Sequence, residues 1–209
     1  MSAATATWAE LNQRHLMAAF ERVRALLLLR HADPASAADP ADPAPFAASA
    51  LDALDAGFGL TPFDRDIVVL CAGMELDGGF ADVVAAAQRQ PRRDYPTFGL
   101  ALAALPGAHW SALSSASPLR YWRLVSLDAV DSLTAGRLRI DERVLHFLAG
   151  VDAPDERLQH LLETEAPCGR LVPSHQALAE QIAARWRRTA AAEWPVLQLC
   201  GPADRKSVV

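Results

Sequence analysis

Leu119-Arg120-Tyr121-Trp122-Arg123-Leu124-Val125-Ser126-Leu127, followed further on by Arg137-Leu138-Arg139-Ile140-Asp141, is the stretch on which the fold turns. Upstream of it, apolar residues recur at the three- and four-residue intervals of a helix. Within it they alternate, and Tyr121, Trp122 and Val125 are strand-type residues, so the spacing predicts a strand within 119–127 and a second over Arg137–Ile140. Asp141 then reads as the N-cap of a helix from Glu142 to Ala149, with Gly150 at C′, because a short carboxylate accepts from orphaned N–H groups and glycine tolerates the left-handed exit. A ribbon set after helices and followed by another helix predicts a fold that is mainly α with a small β ribbon, an α+β class.

Working upstream, Phe46 to Ala56 reads as a helix ended at Gly57. Thr61-Pro62-Phe63-Asp64 supplies an N-cap, a proline at the first helical position and a capping acid at the third. The apolar face that follows is Phe63, Ile67, Leu70, Cys71 and Met74, with Gly78-Gly79 as a stop. A third helix spans Phe80 to Gln88 and a fourth opens at Thr97 and runs to Leu105. Helices leading into a two-stranded ribbon outline a winged-helix-like domain over residues 46–150. Before it, residues 1–31 hold an N-terminal helix: Trp8, Leu11, Leu16, Phe20, Val23 and Leu27 share a face, and Thr7 with Glu10 forms a capping box. Residues 32–45 are an Ala/Asp/Pro linker repeating Asp-Pro at Asp33, Asp39 and Asp42; each proline deletes a donor and restricts its predecessor. Residues 151–193 are read as connecting helices, a short piece from Pro154 to Thr164 and a longer one capped by Ser174.

The end of the chain carries a different signal. Val196-Leu197-Gln198-Leu199-Cys200 reads as an apolar strand running into Gly201-Pro202, the first strand and turn of a nucleotide-binding domain over 194–203. A phosphate loop has the form G-x-x-x-x-G-K-[ST], in which backbone N–H groups and a lysine surround the phosphates. The run Gly201-Pro202-Ala203-Asp204-Arg205-Lys206-Ser207 has the first glycine and a Lys-Ser pair but is one residue short and lacks the second glycine. Residues 204–209 are expected to be a non-native tail, because the DNA word GAT-CGG-AAG-AGC-GTC-GTG-TAG encodes Asp-Arg-Lys-Ser-Val-Val-stop and resembles a common sequencing adapter. The expectation is a chain cut at its phosphate loop, unable to bind or hydrolyse ATP by itself.

Several of these motifs occur together in one family. Phe58-Gly59-Leu60-Thr61-Pro62-Phe63-Asp64-Arg65-Asp66, Leu70-Cys71-Ala72-Gly73-Met74-Glu75-Leu76-Asp77 and Tyr95-Pro96-Thr97-Phe98-Gly99-Leu100 appear in the same order here. With Leu138 to Leu145 and the terminal Leu199-Cys200-Gly201-Pro202, they resemble the N-terminal winged-helix region of a bacterial AAA-type ATPase family that often accompanies contractile injection systems. The resemblance covers roughly Leu51 to Pro202. It implies a AAA+ module beginning near Trp194, ATP and Mg2+ as cofactors of the full-length parent, and a homo-oligomeric ring. It also implies a protein partner or complex, with contractile-injection components among the candidates. Of the ATPase's functional positions it carries over only Gly201, the first phosphate-loop glycine.

Composition narrows the rest. The 209 residues are 51% hydrophobic and 22% charged with net charge −5, ordinary for a soluble globular chain and without a bulk pull toward nucleic acid or anionic membrane. Cys71, Cys168 and Cys200 form no C-x-x-C pair, and Leu26–Leu29 is too short to span a bilayer. With no basic region before an apolar stretch at the N-terminus, a cytoplasmic location is expected. The six histidines show no metal-ligand spacing, and Glu75 with Asp77 reads as loop anchoring rather than an acid–base pair. No catalytic residue and no metal ligand is assigned. The alternative to a protein-interaction role is a DNA-binding regulator. The helix taken as the recognition helix, Thr97 to Leu105, has no charged or amide side chain, so it lacks the groups that read base edges. Flanking arginines, among them Arg92, Arg93, Arg120 and Arg123, could reach phosphates only. Sequence-specific nucleic-acid binding is therefore disfavoured.

Overall fold

The computed structural model describes residues 7–29, 49–128, 132–151, 155–158, 171–188 and 197–198. Its elements are α1 (Trp8–Leu29), α2 (Ala50–Phe58), α3 (Pro62–Leu76), α4 (Phe80–Gln88), α5 (Phe98–Ala104), a 3-10 turn (Trp110–Leu113), α6 (Pro118–Tyr121), β1 (Val125–Asp128), β2 (Arg137–Ile140), α7 (Glu142–Leu148), a 3-10 turn (Glu156–Leu158) and α8 (Pro173–Arg188). The chain divides into two units, Met1–Glu163 and Thr164–Val209. Of the second, α8 is described as a helix with mostly exposed residues, including Leu178 and Trp186.

The core of the first unit is built around α3. Ile67, Val68, Val69 and Leu70 are all buried, so the helix is enclosed on every side rather than presenting one stripe. Its start follows the sequence. Thr61 Oγ1 accepts from Asp64 N (3.1 Å) and Asp64 Oδ2 accepts from Thr61 N (3.1 Å), a reciprocal capping box with Pro62 behind it. At the other end Asp77 anchors the loop: its Oδ1 accepts from Gly79 N (3.0 Å) and its Oδ2 from Arg24 of α1. Gly73 faces α4 so closely that an added Cβ would lie 2.9 Å from the Phe80 ring. That absence of a side chain lets Phe80 pack edge-on to Phe20, ring centroids 6.2 Å apart.

α1 packs against α3 and α4 and is part of this core. Leu16, Phe20, Val23 and Leu27 are buried as the periodicity predicts, while Trp8 stays largely exposed. The same face also buries two polar residues, Asn12 and His15. Asn12 Oδ1 accepts from Ala50 N (2.8 Å) and its Nδ2 donates to Leu148 O (2.9 Å). One side chain thus ties α1 to the start of α2 and the end of α7. Further along α1 Arg22 pairs with Asp66 of α3 (2.6 Å), and Arg65 of α3 reaches Asp52 and Asp55 of α2 (3.2 Å each).

The ribbon is antiparallel, with Val125 opposite Ile140 and Leu127 opposite Leu138. These four residues share the inward face, whereas Ser126, Arg137 and Arg139 are exposed, the two-residue alternation of a half-buried sheet. Asp141 caps α7 by accepting from Arg143 N (3.0 Å), and Gly150 follows it in the left-handed region (φ 77°), both as expected.

Three expectations are corrected. The helix placed over Phe46–Ala56 runs from Ala50 to Phe58, with Ser49 as N-cap; it passes through Gly57 and stops at Gly59, φ 64°. Gly57 is accommodated as the penultimate helical residue because a single helical glycine costs only about 1 kcal/mol, which burial of Leu51 and Leu54 overcomes. Tyr121 and Trp122 are not strand: Ser117-Pro118 starts the helical turn α6 instead, since proline at the first helical position loses no bond. Arg123 then turns the chain at φ 55°, so β1 begins only at Val125. Finally, α8 starts at Pro173, with Val172 O accepting from His175 N and Gln176 N (2.9 and 3.0 Å), so Ser174 lies inside the first turn and is not the cap.

Candidate interaction surface

The place of the wing decides which segment stands where a recognition helix would. Pro96 O accepts from Leu138 N (2.9 Å), and Thr97 forms a bridge with Arg137. Residues 96–97 therefore lie along β2 as a minimal third strand, ahead of α5. In a winged helix that first strand precedes the second helix, and the helix just before the ribbon is the one offered to DNA. That position belongs to 110–121, the Trp110–Leu113 turn and α6, and not to Thr97–Leu105 as expected from sequence. α5 is occupied inward: Phe98, Leu100 and Ala101 are buried and Gly99 N donates to Thr134 O (2.8 Å) of the wing.

The 110–124 segment is held by its own polar atoms. Ser117 Oγ donates to Ala112 O (2.8 Å) and Arg120 Nη1 donates to Leu113 O (2.6 Å). Ala112, Leu113, Leu119 and Leu124 point into the core. The exposed residues are three aromatics together with serines, Ala116 and Arg123. Trp110 and Tyr121 are each 65% exposed and Trp122 is 45% exposed. Tyr121 meets Trp122 edge-on, centroids 4.9 Å apart at 89°, and Trp122 leans on Phe58 at the end of α2, 5.7 Å away. A helical turn of four residues spans about 6 Å, half the width of a major groove. It cannot read several base pairs.

Next to this face is a cavity of about 280 Å³ lined by Gly59, Thr61, His109, Ser111, Ser117 and Pro118, among others. His109 bridges it: its Nε2 lies 3.1 Å from Thr61 Oγ1 and its Nδ1 2.8 Å from Ser111 Oγ, with Phe63 stacked edge-on at 5.1 Å. The Thr61 hydroxyl belongs to the α3 capping box and that of Ser117 is bonded to Ala112 O, while His109 fastens the Trp110 turn to the start of α3. Cys71 is buried, and burial pushes its thiol far above the ordinary range, so it is no nucleophile. Among the described residues no group of three or more His, Cys, Asp or Glu is placed to hold a metal.

Three of the arginines near the ribbon are engaged within the domain. Arg139 pairs with Asp128 across the ribbon (3.0 Å), Arg137 lies over the Tyr95 ring (5.7 Å), and Arg120 is committed to Leu113 O. Gly201, the strand and turn of 194–203 apart from Leu197 and Gln198, the linker of 32–45 and the tail of 204–209 lie outside the described residues; Leu197 and Gln198 are in neither helix nor strand. From sequence Tyr121-Trp122 read as an aromatic ribbon, core or partner-facing; the pair is exposed, but on a helical turn and not in a strand. Ser117-Pro118, a cap followed by a first-turn proline, was the signal that a helix intervened.

A family model described as winged helix domain, variant, matches residues 9–162. The chain belongs to this winged helix domain variant family. The match begins within α1, in keeping with a core that includes that helix. No curated protein and no solved structure matches the chain. No helix among the described residues is long and apolar enough to cross a membrane.

Proposed function

We propose that this winged helix is a protein-docking module, the N-terminal region of a cytoplasmic AAA+ ATPase that remodels or assembles a protein complex. The observation that carries the docking role is the exposed Trp110, Tyr121 and Trp122 at the position a DNA-reading helix would hold. Large rigid aromatics give contact area at low entropic cost and dominate protein interfaces, whereas base readout needs amide or guanidinium groups. The link to an ATPase rests on the ordered motifs from Phe58 to Pro202 and on Gly201 as a first phosphate-loop glycine. In that parent, ATP and Mg2+ would be bound past Gly201 and a ring of subunits would present these modules together.

Titration against random and genomic duplexes at two salt concentrations tests the docking role. Weak, sequence-independent binding that salt abolishes is expected. A preference of about 10³ or more for one sequence would make the domain a DNA-binding regulator. The ATPase assignment is tested by reading the gene past the codon for Ala203: a second glycine with Gly-Lys-Ser/Thr supports it, and a stop codon there overturns it.

A further inference from the structure

We propose that His15 is a proton-operated latch in the joint between α1, α2 and α3, exchanging Arg65 of α3 for Asp52 of α2 when it takes up a proton. His15 is buried, 6% exposed, on the face of α1 that packs into the core. Its Nε2 lies 3.2 Å from Arg65 Nη2 and 3.8 Å from Asp52 Oδ2. A guanidinium has donors and no lone pair to offer, so Arg65 donates and Nε2 accepts. The ring is then neutral and carries its proton on Nδ1. This is the deprotonated position of the latch.

The second position is prepared in the same place. Asp52 Oδ2 is buried and accepts no hydrogen bond, while Oδ1 of the same carboxylate lies 3.2 Å from Arg65 Nη2. A buried acceptor left without a donor costs stability. A proton on Nε2 sets N–H against N–H and turns the attraction between His15 and Arg65 into repulsion of like charges. It also gives Asp52 Oδ2 the donor that it lacks. Both changes drive the imidazole the same way, from α3 toward α2.

The charges around the joint favour the added proton. α2 brings Asp52 and Asp55, α3 brings Arg65 and Asp66, and α1 brings Arg22, which is paired with Asp66 at 2.6 Å. Asp52 and Asp55 thus share the one guanidinium of Arg65, at 3.2 Å each. Burial pushes Asp55 up to about 6 against the pull of Arg65, with Asp52 and Asp66 adding to the rise. The joint therefore has two neighbouring seats for protons, and they titrate as a coupled pair. Histidine is the side chain whose charge ordinarily changes between pH 5 and 8. The tie from Asn12 Oδ1 to Ala50 N, 2.8 Å, carries no charge and persists in both positions. Acid thus moves the His15 contact of α1 from α3 to α2 without releasing the helix, as protonated histidines repack other interfaces.

The test follows the His15 ring in the full, isotope-labelled chain by nitrogen–proton correlation spectra between about pH 8 and pH 5. His15→Gln assigns the signals, and circular dichroism checks the fold at each step. The expected ring is neutral with its proton on Nδ1 at the alkaline end. At the acid end both nitrogens are protonated and Hε1 gains an Overhauser contact to the Asp52 methylene. Asp52→Asn should lower the midpoint by about one pH unit, a tenfold loss of proton affinity, and Arg65→Gln should raise it. A ring that carries its proton on Nε2 at the alkaline end overturns the proposal, as does one that stays neutral in folded protein at the acid end. So does a midpoint that Asp52→Asn leaves in place. Where a variant does not fold, the Overhauser contact in the parent chain decides: its absence at the acid end sinks the partner exchange.

Discussion

Asp55 shares the Arg65 guanidinium with Asp52 and sits beside Asp66. Burial, opposed by Arg65 and reinforced by the two neighbouring carboxylates, raises its pKa to about 6. A carboxyl that holds its proton more tightly when folded stabilises the fold below its unfolded value. That contribution is lost as pH rises through the folded value. Stability should therefore fall between about pH 4 and pH 6, by on the order of 1–3 kcal/mol for this group. Asp55→Asn, which keeps the shape without the charge, should flatten that part of the profile in urea melts at stepped pH. An unchanged slope would place the burden on another group. None of this was legible in the sequence, where Asp52 and Asp55 stand well before Arg65 and only folding brings that arginine to both, with Asp66 and its partner Arg22 nearby.

Among the elements, the joint between α5 and the wing is the most constrained. Gly99 N donates to Thr134 O at 2.8 Å, and a Cβ on Gly99 would lie 2.9 Å from that same oxygen. The obstacle is backbone on both sides, so neither side chain can swing away. Gly99→Ala should cost roughly 1–3 kcal/mol, the usual range for overpacking. Faster amide exchange in the ribbon than in α3 should accompany it. Equal exchange throughout would mean that the wing is not hinged on this contact. The elements themselves were largely readable: the α3 capping box, the bounds of α4, β2 and the cap of α7 follow from local chemistry. The α2 boundary and the α6 turn were not, because flanking packing overrode Gly57 and a proline start outweighed the strand preference of Tyr-Trp.

For the whole molecule, α1 is the test of what constitutes the folding unit. Its Leu16, Phe20, Val23 and Leu27 are buried, and Asn12 satisfies backbone groups of α2 and α7. A chain beginning at residue 46 would expose one side of α3 and α4 and leave Ala50 N and Leu148 O unpaired, each worth about 1–3 kcal/mol. Such a chain should lose its cooperative thermal transition by circular dichroism. A sharp transition near that of the intact protein would show that α2 to α7 fold alone. The sequence by itself determined the α+β class, most helix starts and stops, and the pairing residues of the second strand, because caps, prolines and hydrophobic period act within a few residues of themselves. Only the tertiary structure decided that α1 joins the core across the Ala/Asp/Pro segment and that 110–121 rather than 97–105 stands before the wing. Only it gathered Phe58, Tyr121 and Trp122 on one face. Those outcomes depend on contacts between residues far apart in the chain, and no local pattern specifies which distant surface a buried face will meet.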